Sequence, residues 1–257
     1  MVRRLQPGII IDNRLEVSGE GRGSLYECDP KPYHGDFVSP EQIIPPEGIC
    51  DKNGDPMVWE ACFTMNNNWG YCANDHYYKP ASMLIKKLVE CVSKGGNMIL
   101  NVGPDAKGKF PKESSDILAE IGRWMKYNHD SIYGCVPAND IPKPDYGRVT
   151  RKGNKYYVHI YENTLGPLPL IGFDKNKIVK VRSLADGHEV PLSTAWVHRD
   201  YPDIAFVDLG PDPVLPASVD YVLEVELEEY TKTAMEQKKK GLSIKTAHCS
   251  LPQNKKR

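Results

Sequence analysis

The sequence predicts an α/β segment followed by an all-β segment, and three patterns carry that expectation. Short apolar, β-branched runs end in polar residues, as in Gly8-Ile9-Ile10-Ile11-Asp12. Between such runs lie two stretches whose apolar residues recur at helical spacing, near residues 84–92 and 117–125. Beyond Tyr133-Gly134 the helical spacing gives way to short alternating runs separated by Pro, Gly and Asp.

Gly8 to Asp12 reads as a strand buried on both faces, the kind found in parallel sheets, and its end delivers Asn13 and Arg14. In barrels and open α/β sheets the carboxyl ends of strands are where chemistry sits. The Gly19-Glu20-Gly21-Arg22-Gly23 cluster lacks the Lys-Ser/Thr of a phosphate loop and no helix pattern follows, so it reads as a flexible loop. Ser24 to Met57 holds no sustained period and reads as a long irregular connection, a kind that is usually functional or disordered. Its aromatic content argues for function. Val58 to Met65 is a second strand, leading into the turn Asn66-Asn67-Asn68-Trp69-Gly70-Tyr71.

After Pro80 an amphipathic helix is predicted, with Leu84, Leu88 and Cys91 on one face, Ile85, Val89 and Val92 alongside, and Lys86, Lys87 and Glu90 pointing away. Gly95-Gly96 stops it. Asn97 to Pro104 is a third buried-strand run, and Ile117, Leu118, Ile121, Trp124 and Met125 form the core face of a second helix. In the all-β part, Lys155 to Tyr161 alternates, Asp186-Gly187 marks a hairpin and Ile204 to Val207 is a strand. In the last strand Tyr221, Leu223, Val225 and Leu227 share one face, while Glu224, Glu226 and Glu228 share the other. This spacing suggests a small β-sandwich. The domains are expected at 1–133, 134–230 and 231–257, the last a Lys-rich solvated tail.

The totals exclude several function classes. With 33 Lys+Arg against 34 Asp+Glu the net charge is -1, so nothing draws the chain to nucleic acid or an anionic membrane. No apolar run nears the roughly 20 residues of a membrane span, and no signal-peptide pattern follows Met1. The 7 cysteines are dispersed without a Cys-x-x-Cys pair, so neither a zinc site nor a disulfide framework is signalled, and no metal or cofactor is expected.

Chemistry concentrates between Asp36 and Tyr71, where carboxylates, indoles and side-chain amides crowd together. A pyranose presents hydroxyl edges and apolar C–H faces at once, so acids beside aromatic faces are the materials of a sugar-cleaving pocket. Taken singly, Glu41 after Ser-Pro reads as a helix-start residue, Trp69 as core, Arg14 as an ion-pair partner and Trp59-Glu60 as scaffold.

The order of the motifs adds more. Val2 to Arg14, then Gly35-Asp36-Phe37-Val38-Ser39-Pro40-Glu41-Gln42, then Trp59 to Asn66 with Trp69-Gly70-Tyr71, then Ser93-Lys94-Gly95-Gly96-Asn97 and Leu100 to Pro104, and finally Ser131-Ile132-Tyr133-Gly134 together resemble an α-L-fucosidase of glycoside hydrolase family 29. The resemblance implies a (β/α)8-like barrel with a C-terminal β-sandwich that removes terminal α-L-fucose from an oligosaccharide or glycoconjugate with retention. It implies Glu41 as general acid/base, Arg14 as a contact to the sugar and the nucleophile's neighbourhood, and Trp69 against the apolar side of fucose. Retention needs a second carboxyl group about 5–5.5 Å from the first. In the family that group is an aspartate in a Trp-x-Asp segment upstream of the motif at Arg3 to Gly8. Asp12 and Asp36 do not sit in that motif. A partial barrel is therefore expected, the C-terminal portion of a fucosidase, with a separate chain carrying the front half, or self-association, as candidate partners. The alternative is a non-catalytic carbohydrate-binding or interaction protein of the same descent.

Overall fold

The computed structural model describes residues 2–15, 35–50, 53–210, 215 and 219–228. The Gly19 to Gly23 cluster and the Lys-rich run after Thr231 lie outside them. The described residues of Met1–Phe63 and Gly95–Asn101 form one compact unit, and those of Thr64–Lys94 and Val102–Glu229 a second.

In the first unit a short helix α1 (Val2–Leu5) precedes a run of parallel bridges: Asp12 with Phe37, Val38 with Trp59 and Glu41 with Cys62. Strands β1 (Glu60–Thr64) and β2 (Asn97–Asn101) pair beside them. Backbone hydrogen bonds close the ladder, Asn13 N–H to the Phe37 carbonyl at 3.1 Å and Asn97 N–H to the Trp59 carbonyl at 2.9 Å. Residues 36–41, expected as loop, thus join the ladder. Ser39-Pro40 hides them, because a proline gives no N–H and breaks the run.

Burial in this unit is one-sided. Val38, Trp59, Ala61 and Phe63 are buried, yet Ile10 is 73% exposed and Ile99 47%. The expectation of strands covered on both faces is corrected at Gly8 to Asp12 and at β2: apolar composition reports what a strand could bury, not which neighbours are there to cover it. The Gly95-Gly96 pair does more than stop a helix. A Cβ on Gly96 would lie 2.3 Å from the Trp59 indole, so only glycine admits that ring, which is 1% exposed.

The second unit opens with α2 (Ala81–Ser93) and α3 (Lys112–Asn128). Leu84, Ile85, Val89, Cys91 and Val92 of α2 are buried as the spacing predicts. Glu90 does not simply point away. Its carboxylate meets Lys87 at 2.9 Å, Lys94 at 2.7 Å and Arg148 at 2.9 Å. On α3 the predicted apolar face is half-buried throughout rather than fully enclosed, with Trp124 and Met125 packed against Val89, Val92 and Ile132.

The remaining strands are β3 (Val136–Pro137), β4 (Gly147–Lys152), β5 (Lys155–Ile160), β6 (Leu168–Leu170), β7 (Ile178–Ser183), β8 (Ala205–Val207) and β9 (Tyr221–Leu227). Five of them form an antiparallel sheet in the order β3-β4-β5-β9-β7, and β6 pairs with β8. Gly187, with φ 76°, turns the chain after β7 so that Glu189 bridges back to Arg182, as the Asp-Gly signal predicts. Alternation sorts the large sheet's faces. Tyr156, Val158 and Ile160 of β5 and Tyr221, Leu223 and Val225 of β9 enter one core with Leu168, Leu170, Ala205 and Val207 of the small sheet. The opposite face carries Tyr157, His159 and Glu224, all buried. Glu224, 3% exposed, accepts two hydrogen bonds from Arg182 at 2.9 and 3.0 Å and one from Lys155 at 3.0 Å. Such pairing is what permits a carboxylate to be buried.

Among the described residues no helix is long and apolar enough to cross a membrane. Among the described residues Cys62, Cys72, Cys91 and Cys135 are free thiols.

Candidate active site

The candidate site of the first unit starts with two backbone segments held in close register. A Cβ on Gly35 would lie 2.2 Å from the Asn13 nitrogen, so glycine lets the segments touch. Asn13, 2% exposed, locks them by accepting a hydrogen bond from the Ser39 N–H at 3.0 Å. Asp36 anchors the other end. It accepts from the Arg3 guanidinium at 3.0 Å and the Ile11 amide at 2.8 Å, and these two donors hold its carboxyl below the usual range. Both carboxylate oxygens of Asp36 thus help to hold the two segments in register.

This register brings Arg14 to Glu41. Arg14 lies in a single 3-10 turn (Asn13–Leu15), its N–H donating to Asp12 Oδ1 at 2.9 Å. The guanidinium then reaches three acceptors: Nη1 to Glu41 Oε2 at 2.9 Å, and Nη2 to the Ser39 carbonyl at 3.0 Å and Cys62 Sγ at 3.7 Å. The hydrogen bond to Glu41 raises the Arg14 pKa further, with partial burial opposing it. Both side chains stay 41% and 45% exposed, so a solute can reach the pair.

The backbone around Glu41 is tied on both sides. Cys62 N–H donates to the Pro40 carbonyl at 3.0 Å and Gln42 N–H to the Cys62 carbonyl at 2.9 Å. Gln42 has φ 58°, the left-handed region that non-glycine residues rarely occupy. Such strain costs on the order of 1–3 kcal/mol and is characteristic of sites whose geometry is held by their surroundings.

Cys62, Ser39 and Gln42 were not singled out by the sequence. A signal existed for the first, since strand alternation places Cys62 on the same face as Glu60. Glu60 itself, read as scaffold, has its carboxyl raised above the ordinary range by partial burial and by the nearby Asp12 charge.

Trp69 belongs to the second unit and is 41% exposed. Its turn is folded about Asp75, which accepts from the Asn67 N–H at 2.9 Å, Asn68 Nδ2 at 2.6 Å and the Tyr77 N–H at 3.1 Å. Desolvation pushes the Asp75 carboxyl up, but these donors outweigh it and leave it below the usual range. Lys79 Nζ closes the turn's base on the Thr64 and Asn66 carbonyls at 2.7 and 2.8 Å. The structure thus joins Arg14 to Glu41 directly and presents Trp69 on a separately braced turn. Among the described residues no group of three or more His, Cys, Asp or Glu could hold a metal ion.

A family model described as alpha-L-fucosidase matches residues 1–130. The chain belongs to the α-L-fucosidase family. The match takes in Arg14, Glu41 and Trp69. The chain is similar to plasma alpha-L-fucosidase of Pongo abelii, 30% identical over 188 residues, which is 70% of this chain and 38% of that protein. Its fold is similar to that of alpha-L-fucosidase isoenzyme 1 from Paenibacillus thiaminolyticus, with TM-score 0.80 and 46% identity over 89% of this chain and 52% of that one. It is also similar to an α-L-fucosidase from Bacteroides thetaiotaomicron, trapped as a covalent intermediate with 2-fluoro-fucosyl fluoride using a Glu→Gln mutant. That likeness has TM-score 0.67 and 25% identity over 89% of this chain and 51% of that one. This α-L-fucosidase family chain therefore spans about half or less of the length of these relatives.

Proposed function

We propose that this chain supplies the acid/base half of a retaining α-L-fucosidase acting on terminal α-L-fucose. The observation that carries the reading is the Arg14–Glu41 pair, 2.9 Å apart and accessible, inside the segment that matches the α-L-fucosidase model. Glu41 protonates the glycosidic oxygen as the bond breaks and later takes a proton from the water that releases fucose. Trp69 supplies an apolar wall for the sugar's methyl side. Retention also requires a second carboxylate, in addition to Glu41, as the nucleophile. Placed beside Arg14, that carboxylate competes for the guanidinium and frees Glu41 Oε2 to carry the transferable proton. In architecture this reading takes residues 1–133 as part of a (β/α)8-like barrel and residues 134–230 as a β-sandwich. The parallel bridges at Asp12, Val38 and Glu41 and the core shared by the two later sheets support it.

The test is hydrolysis of an aryl α-L-fucoside by the chain alone and by the chain co-expressed with the part of the Paenibacillus thiaminolyticus relative that it does not span. The expected result is turnover only in the combination, with Glu41→Gln lowering kcat about 10²–10⁴-fold. Saturable fucose binding without turnover in every combination would instead identify a non-catalytic sugar-binding protein.

A further inference from the structure

Four buried side-chain polar atoms have no hydrogen-bond partner among the described residues, and three of them are Trp124 Nε1, Tyr161 Oη and Asp220 Oδ1. The residues that carry these three atoms border His159 on the polar face of the large sheet: Trp124 and Asp220 by direct contact, and Tyr161 two positions along the chain. In the β5–β9 register His159 faces Val222 and Ile160 faces Tyr221, and Tyr161 and Asp220 are the next residues along the two strands' paths. His159 and Tyr161, two apart, share a face. Asp220 Oδ2 lies 2.7 Å from His159 Nδ1, and the Trp124 ring packs 6.4 Å from the His159 ring. Burial first, and then the Asp220 charge, push the Tyr161 phenol upward, consistent with their closeness.

The donor inventory shows what fits. Thr150 Oγ1 donates its hydrogen to the Ser131 carbonyl at 2.7 Å, so toward His159 Nε2 at 3.4 Å it can only accept. The two ring nitrogens of His159 face Thr150 Oγ1 and Asp220 Oδ2. That leaves His159 nothing to offer Asp220 Oδ1. The indole N–H can only donate, the phenol can donate or accept, and the carboxylate oxygen can only accept. A molecule with two hydrogens and two lone pairs complements this set, whereas a cation would meet the indole N–H and an anion the carboxylate.

We propose that a buried water site lies between α3 and the large sheet, bridging Trp124 Nε1, Tyr161 Oη and Asp220 Oδ1. It is polar and offers three partners, which is what buried waters have. The water ties the helical layer of this unit to its sheet through hydrogen bonds that no side chain supplies.

The test is Tyr161→Phe in the intact chain, which removes one hydroxyl and nothing else. If water bridges the site, the phenol is satisfied and its loss lowers Tm by about 2–4 °C. If the hydroxyl is an orphan, its removal leaves Tm unchanged or raises it, and the proposal fails. High-resolution diffraction supplies an independent readout. Density within hydrogen-bond reach of at least two of the three atoms supports the site, and a dry pocket overturns it.

Discussion

Replacing Glu90 by glutamine tests whether the two layers of the second unit are held by a charge cluster. Glu90 on α2 is 15% exposed and lies within 3 Å of Lys87, Lys94 and Arg148, the last on β4. Desolvation raises its carboxyl, but hydrogen bonds from Lys94 and Lys87 and the Arg148 charge outweigh that and bring it from 4.5 to about 2. At about 1.4 kcal/mol per pH unit, a depression of that size bounds the linkage at roughly 3 kcal/mol. Screening of a surface-edge cluster reduces it, so Glu90→Gln should cost about 2 kcal/mol at neutral pH. The folded pKa is depressed, so the stabilisation is complete above about 4.5 and is lost as pH falls toward 2. Urea unfolding of both proteins at pH 7, 4.5 and 3 reads this directly: the difference in midpoint should shrink as pH drops through that window. A constant difference from pH 7 to pH 3, or a variant as stable as the parent at pH 7, would show that the cluster does not hold the layers together.

Two further outcomes follow from the packing. Gly96→Ala drives a Cβ into the Trp59 indole and should destabilise the first unit by about 1–3 kcal/mol, read by urea unfolding followed through tryptophan emission. Asp75→Ala removes the acceptor that folds the Trp69 turn, so limited proteolysis between Asn66 and Tyr77 should quicken while cleavage elsewhere holds its rate.

How legible all this was in the sequence depended on separation along the chain. The β9 alternation gave its core face correctly because period 2 is local, and the same holds for the buried face of α2. Glu224 looked like any strand glutamate, since its partner Arg182 is 42 residues away. The ladder at residues 36–41 was masked by Ser39-Pro40, and the exposure of Ile10 and Ile99 is invisible to composition. Glu41 and Arg14, 27 residues apart, were linked only by the order of family motifs, because neither residue alone favours catalysis over structure. Cys62, by contrast, followed from strand alternation and could have been read.

The assignment of Glu41 as acid/base rather than nucleophile is the centre of the proposed function, and covalent trapping addresses it most directly. The complemented protein carrying Glu41→Gln would be incubated with 2-fluoro-fucosyl fluoride and each polypeptide weighed intact by mass spectrometry. The expected result is one fucosyl adduct on the complementing polypeptide and none on this chain. An adduct on this chain, at Asp12, Asp36, Glu60 or residue 41, would contradict that assignment.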